Sequence, residues 1–378
     1  MKKILTTILI SLLFFFISPC NVEAQDINLS AEAAVLIDGD TGAIMYGKNH
    51  LEQRPPASTT KVLTAILAIE QGDLAEVVSI SKRSAQTGEA SINLLEGETI
   101  TLENLLYGAL LKSGNDACVA IAEGISPTVE EFVGLMNLKA KLLGCTNTNF
   151  VNTNGLPHNN HYTSALDLAV ITRYALNNPI FAQIVATPTK TIQWENSSRK
   201  KYIQNTNKLL TIYPGANGVK TGTTDKAGQC LIASATREGR TLIAVVLKSH
   251  NRYGDASKLL DYGFNNYYNL EVIKKNQVLN IDRSKFNLDK NLVLKAKENF
   301  VLTLEKGTET HLTCEIKLDS SIRKKNIPIG ETIGYLKLYN YNQEIGTIAL
   351  YAEKQEVLPK KDYSKQNIWD NIKDKLNF

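Results

Sequence analysis

The chain has 378 residues, of which 43% are hydrophobic and 21% charged, and a formal net charge of +4. That length exceeds the usual single domain, so one large and one small domain are expected. The charge is mild and spread along the chain, which excludes a nucleic-acid-binding stripe. The histidines are scattered, with no C-x-x-C or H-E-x-x-H, so neither a metal nor another cofactor is expected.

In chain order, Lys2-Lys3 forms a positive n-region and Ile4 to Ile17 is almost continuously apolar. Val22-Glu23-Ala24 then offers small residues for cleavage. Residues 1–24 therefore read as a signal peptide, with an exported mature chain beginning near Gln25. Cys20 suggests a lipoprotein site, but Pro19 directly before it is wrong for a lipobox. Of the remaining cysteines, Cys118 lies in an apolar helical run and Cys230 begins an apolar strand. These contexts fit isolated buried thiols better than a disulfide framework.

Ala33 to Ile37 and Ala43 to Tyr46 predict a hairpin closed by Asp38-Gly39-Asp40-Thr41-Gly42. Pro55-Pro56-Ala57 breaks regular structure. From Ser58 onward Val62, Leu63, Ile66, Leu67 and Ile69 recur at helical spacing, which puts Ser58 at a helix N-terminus. Helices are predicted over Thr101 to Lys112, Thr128 to Leu143, and Ser164 to Leu176, the last with an S-x-x-D cap at Ser164 and Asp167. Ser113-Gly114-Asn115 is predicted as a turn between helices, since Ala117 to Ile121 resumes an apolar helical pattern. Asn152 to Pro157 is turn-rich and leads to His161.

Gly218 to Gly222 approaches a strand pair, Gln229 to Ala235 and Thr241 to Lys248, joined at Glu238-Gly239. A helix follows over Gly254 to Tyr268. Strands first, helices in the middle, then strands and a helix argue for α+β. Beyond Leu270, the runs Leu292 to Leu304, His311 to Leu318, Thr332 to Tyr339 and Glu344 to Tyr351 predict a small all-β domain. After Pro359, Ile368, Trp369, Ile372 and Leu376 share one helical face beside Lys360, Lys361, Lys365, Lys373 and Lys375. That pattern suits a peripheral membrane helix. The expected organisation is 1–24 signal peptide, 25–268 catalytic domain, 269–358 β-domain and 359–378 amphipathic helix.

Three short motifs carry the chemistry. Ser58-Thr59-Thr60-Lys61 puts a hydroxyl and an amine one helical turn apart, on one face. A serine hydroxyl needs an adjacent base, and a lysine can serve only while neutral. Burial and a second cation, Lys220, would both lower its pKa. Ser113-Gly114-Asn115 supplies another hydroxyl and an amide. Lys220-Thr221-Gly222-Thr223 supplies a cation, hydroxyls, and a glycine that lets a substrate backbone lie against the strand.

In this order the motifs resemble those of penicillin-binding proteins and class A β-lactamases, and specifically the low-molecular-mass D-alanyl-D-alanine carboxypeptidases. The resemblance implies a transpeptidase-like antiparallel sheet with a helical subdomain, followed by the β-domain. It implies Ser58 as nucleophile, Lys61 as proton acceptor and Ser113 as a relay towards the departing amine. Asn115 would bond the substrate's peptide amide, and Lys220 and Thr221 its terminal carboxylate, with Arg252 as a further contact. The backbone N–H groups of Ser58 and Thr223 would form the oxyanion hole. Many relatives have histidine in place of Thr223. His161 is left outside the site. The implied partners are a peptidoglycan pentapeptide, β-lactam antibiotics, and the outer face of the cytoplasmic membrane through the C-terminal helix.

A class A β-lactamase shares the trio, but it uses a glutamate in a loop before the third motif, and Asn152 to Thr163 contains none. A catalytically inactive wall-binding module is the rival from another class, although every motif residue is intact. Cleavage of peptide crosslinks would use the same machinery.

Overall fold

The structure is a computed structural model that describes residues 27–281, 292–319 and 329–354. The signal peptide and Cys20, and the amphipathic helix assigned to 359–378, lie outside the described residues.

Strands β1 (Ala33–Asp38) and β2 (Ile44–Lys48) form the predicted hairpin. The buried Asp38 carboxylate accepts from the N–H groups of Asp40 and Thr41, which closes the turn. A 3-10 turn, Ala57–Thr60, leads into α1 (Lys61–Gln71). Then come β3 (Val77–Ser79), α2 (Lys82–Ala85), β4 (Thr99–Thr101), α3 (Leu102–Leu111) and α4 (Asn115–Ile125). Helices α5 (Val129–Leu142), α6 (Ala165–Leu176) and α7 (Pro179–Ala186) complete the helical layer. Their starts are chemically marked. Thr101, Thr128 and Ser164 each accept the N–H three residues on, and Asn178 accepts two N–H groups ahead of Pro179.

A surface hairpin, β5 (Thr189–Gln193) and β6 (Lys200–Gln204), and the short α8 (Leu209–Ile212) precede three long strands. These are β7 (Ala216–Thr224), β8 (Gly228–Arg237) and β9 (Arg240–Ser249), and α9 (Arg252–Asn266) closes the domain. The antiparallel sheet has the order β2-β1-β9-β8-β7, leaving β7 at an edge.

Alternation along these strands builds two cores at once. Ala33, Val35, Ile37, Ile232, Ile243, Val245 and Leu247 face the helical layer. Ala34, Leu36, Leu231, Ala233, Leu242, Ala244 and Val246 face α9. Successive strand side chains point to opposite faces, so a strand covered on both sides must be apolar throughout.

The second domain has its own core. Strand β10 (Tyr267–Ile273) starts directly after α9 and pairs with β13 (Phe300–Glu305). The other strands, β11 (Val278–Leu279), β12 (Leu292–Ala296), β14 (Leu312–Leu318), β15 (Thr332–Asn340) and β16 (Gln343–Lys354), form a sheet ordered β11-β12-β16-β15-β14. The single strand expected over Leu292 to Leu304 is thus two strands in different sheets, broken at the polar Lys297-Glu298-Asn299. Helix α9 also ends earlier than expected, because Tyr267 and Tyr268 enter β10.

Two glycines set the position of the turn that carries Ser58. Gly155, at φ +90, lies so close that a Cβ there would stand 1.8 Å from the Ala57 carbonyl oxygen. A Cβ at Gly222 would stand 3.0 Å from the Ser58 nitrogen. Gly222 therefore admits the turn itself, on the helical-layer side of β7 that it shares with Lys220, and it also lines the cleft. Gly155→Ala should lower the melting temperature by about 4 °C or more, from backbone strain and overlap together. Gly134→Ala, where a Cβ meets nothing within 4 Å, should leave it unchanged or raised. Thermal unfolding of both variants checks this.

Candidate active site

Lys61 is 0% exposed, at the junction of the 3-10 turn and α1. Its Nζ donates to three oxygens: Ser58 Oγ at 2.8 Å, Asn115 Oδ1 at 2.7 Å and the Asn154 carbonyl at 2.6 Å. An ammonium has three N–H donors, so the charged form is fully satisfied. Burial nevertheless pushes its pKa down to about 8, while Glu89 and Asp116 act in the other direction. In the neutral form two N–H bonds and one lone pair must serve the same three oxygens. Asn154 can only accept through its carbonyl. Asn115 is fixed with Oδ1 towards Lys61, because its Nδ2 donates to the Gly88 carbonyl at 3.0 Å. Only Ser58 can donate, so the lone pair falls to the serine. That is the geometry of a base beside its nucleophile.

The turn holding Ser58 is braced internally and from behind. Thr59 and Thr60 hydroxyls donate to the carbonyls of Pro56 and Ala57. The buried His161 bonds Thr60 Oγ1 at 2.9 Å through Nε2, and its Nδ1 accepts from the Val151 N–H. Burial, then the neighbouring His158 and Lys61, push its pKa down to about 4. His161 is therefore a neutral brace between two loops, outside the cleft lining.

Ser113 has φ +66 and lies just ahead of α4, with its hydroxyl open to the cleft and no hydrogen-bond partner among the described residues. Asn115 is the first residue of α4 rather than part of the turn, and its N–H donates to the Ala90 carbonyl at 2.7 Å. One lone pair and one amide hydrogen of its side chain are already engaged.

Lys220 is 1% exposed, and the only hydrogen bond of its Nζ among the described residues goes to the Thr221 carbonyl at 2.9 Å. Burial pushes its pKa well below the ordinary lysine value, with the Lys61 charge adding to that. Burial is the first cause of the lowering for both lysines, and the repulsion between them bears on the pair. Thr221 Oγ1 touches Thr206 Oγ1 at 2.7 Å. Thr223 Oγ1 donates to the Gly222 carbonyl and accepts from Arg252 Nη1 at 2.9 Å. Arg252 also donates to the Gly222 carbonyl at 3.0 Å and has no carboxylate partner among the described residues.

The cleft brings Ser58, Ser113, Asn115, Thr221, Gly222, Thr223 and Arg252 together, with Lys61 and Lys220 buried beneath. Sequence reasoning missed Asn154, Glu89, Ala90 and Thr206, which also line it. The turn-rich run at Asn152 to Pro157 was the available signal for Asn154. All four cysteines in the described residues are free, and Cys118, Cys145 and Cys230 are buried.

A family model described as D-alanyl-D-alanine carboxypeptidase matches residues 20–251, and one described as the penicillin-binding protein 5 C-terminal domain matches residues 267–357. D-alanyl-D-alanine carboxypeptidase DacF of Bacillus subtilis is 35% identical over 365 residues, covering 93% of this chain and 90% of that protein. The crystal structure of penicillin binding protein 5 from Haemophilus influenzae superposes with a TM-score of 0.74 at 28% identity. It covers 88% of this chain and 99% of that one. The Streptomyces K15 DD-transpeptidase structure has a TM-score of 0.62 at 33% identity, covering 64% of this chain and 100% of that one.

The depressed Lys61 pKa sets a pH dependence. Only the neutral amine accepts a proton, and its fraction falls about tenfold per pH unit below the pKa. Acylation of Ser58 by labelled penicillin should therefore accelerate from about pH 6 and level off above about 8. A profile flat across that window, measured by stopped-time labelling, would remove Lys61 as the base.

Proposed function

The chain belongs to the D-alanyl-D-alanine carboxypeptidase family of penicillin-binding proteins, and from that premise we propose how its residues divide the reaction. It is a serine-type carboxypeptidase that removes the terminal D-alanine from peptidoglycan stem peptides. The observation that carries the assignment of roles is the Lys61 Nζ, 2.8 Å from Ser58 Oγ, with acceptors alone on its other two sides.

Arg252, Thr221 and Lys220 hold the substrate's terminal carboxylate, and Asn115 bonds its peptide amide. Ser58 Oγ attacks the carbonyl carbon of the penultimate residue while its proton passes to Lys61. The N–H groups of Ser58 and Thr223 take the negative charge that develops on oxygen. The C–N bond then breaks, and the proton travels from Lys61 through Ser113 to the departing D-alanine amine. Water, deprotonated by Lys61, attacks the Ser58 ester and releases the shortened peptide. Penicillin enters by the same first step, its ring C–N bond opening as Ser58 is acylated.

A β-lactamase reading needs a carboxylate to activate the second water. The stretch that packs on Lys61 offers the Asn154 carbonyl and no acid between Asn152 and Thr163. The main reading stands against it.

We further propose export through residues 1–24 and peripheral attachment to the outer face of the cytoplasmic membrane through residues 359–378. The support is the lysine-flanked apolar face with Trp369. No helix among the described residues is long and apolar enough to cross a membrane.

Two measurements test these readings. Ser58→Ala should lose the penicillin adduct in intact-mass analysis and lower D-alanine release by about 10⁴-fold or more; an adduct on the variant would misplace the nucleophile. Truncation after Leu358 should release the mature protein from anionic vesicles in a sedimentation assay while Ser58 still acylates. Continued co-sedimentation would end the anchor proposal.

A further inference from the structure

One carboxylate lines the cleft without a part in the reaction above. Glu89 faces the same opening as Ser58, Ser113 and Asn115, and among the described residues no other acidic side chain lines it. Its backbone is left-handed, with φ +64. Any residue with a Cβ is disfavoured there, and such strain persists only where the surroundings enforce it.

They do enforce it. Asn115 grips both neighbours of Glu89, its N–H on the Ala90 carbonyl and its Nδ2 on the Gly88 carbonyl. The buried Asp116 carboxylate holds the next stretch through Ser91 Oγ and the N–H groups of Ile92 and Leu94. The backbone of Glu89 is thus pinned, while its side chain is exposed and has no hydrogen-bond or ion-pair partner among the described residues.

The cleft is also electrically polarised. Arg252 stands on the β7 wall of the cleft, bonded to the Gly222 carbonyl and Thr223 Oγ1, whereas Glu89 stands on the α4 wall, between two residues held by Asn115. Arg252 marks the end that receives the departing D-alanine. The departing D-alanine brings only a methyl group and a carboxylate, so a free glutamate on the other wall can attract a cation only in the part of the substrate that stays on Ser58. Among the described residues, Lys112, exposed at the end of α3, is the other ionisable group on that wall and has no hydrogen-bond or ion-pair partner.

We propose that Glu89 is a specificity residue, recognising a positively charged side-chain amine in the acyl part of the stem peptide. The inference rests on the acyl-enzyme reading above. It favours peptides in which a diamino acid with a free amine precedes D-Ala-D-Ala over those in which that amine is acylated.

The test compares two such peptides, identical except that the side-chain amine is free in one and acetylated in the other. The wild-type protein should prefer the free amine by about fivefold in kcat/KM, as expected of a largely exposed ion pair. The preference should lie in KM and shrink with added salt. Glu89→Gln should bring the ratio to about one, and Glu89→Lys should reverse it. A wild-type protein that acylates with penicillin at Ser58 but turns over both peptides equally would overturn this inference alone. So would a Glu89→Gln variant that keeps the ratio, or one that loses equally on both peptides with a shifted pH profile, which would assign Glu89 to Lys61. A wild-type protein that does not acylate would overturn the acyl-enzyme reading as well.

Discussion

The site depends on keeping one amine out of water. Removing an ammonium from solvent costs several kcal/mol even after relaxation, and hydrogen bonds offset only part of that. For Lys61 three short bonds to oxygen provide the offset, and the remainder is visible as a pKa of about 8. An exposed lysine in the same S-x-x-K pair would stay charged at neutral pH and could accept nothing. Burial alone would not aim the lone pair, and the two fixed acceptors do that. Desolvation and hydrogen-bond direction together turn an ordinary side chain into a base.

Those oxygens come from three separate segments, so the fold must converge on them. Ser58 is one turn away, Asn115 is 54 residues on, and Asn154 is 93 residues on. The helical core brings α4 beside α1 and so delivers Asn115. The loop bearing Asn154 is fixed by Thr64, whose hydroxyl donates to the Thr153 carbonyl at 2.6 Å, and by Asn152, whose Oδ1 accepts from the Gly155 N–H at 2.7 Å. The sheet contributes its edge strand, the one position from which β7 reaches both the Ser58 turn and a ligand. The β-domain, with its own core, lines none of this cleft among the described residues. It meets the catalytic domain at points such as Thr41 and Thr303, whose hydroxyls lie 2.6 Å apart.

What the sequence made legible follows from which groups leave a chemical mark. Side chains with a fixed job do: the capping Ser164, the doubly apolar strands β8 and β9, and the Ser58, Lys61 and Lys220 trio could all be read in advance. Backbone groups do not. The Asn154 carbonyl is as close to Lys61 as any side chain, yet any residue could supply it. Gly155 and Gly222 stood out as glycines, but the reason for each lies in a neighbour distant in sequence. The break between β12 and β13 was hidden because Lys297 to Asn299 interrupts the apolar pattern too briefly to separate two strands from one. How completely each lysine is buried and bonded was also beyond sequence, since it depends on segments far apart in the chain.

That difference between the lysines gives the cleft its order of events. Lys61 has three partners, whereas Lys220 has one carbonyl, and burial holds both below the ordinary lysine pKa. An underbonded amine in a buried site gains most from an arriving anion, because an opposite charge close by favours the protonated form. Under the roles proposed here, the substrate's carboxylate supplies that anion, with Arg252 beside it at the mouth of the cleft. Once Lys220 is protonated its charge bears on Lys61 and disfavours a second ammonium in the same small volume. Capture of the carboxylate thus draws the proton to the clamp and leaves the base free, and a substrate lacking that charge forgoes the effect. The pair titrates as a unit, and the ligand decides which nitrogen holds the proton.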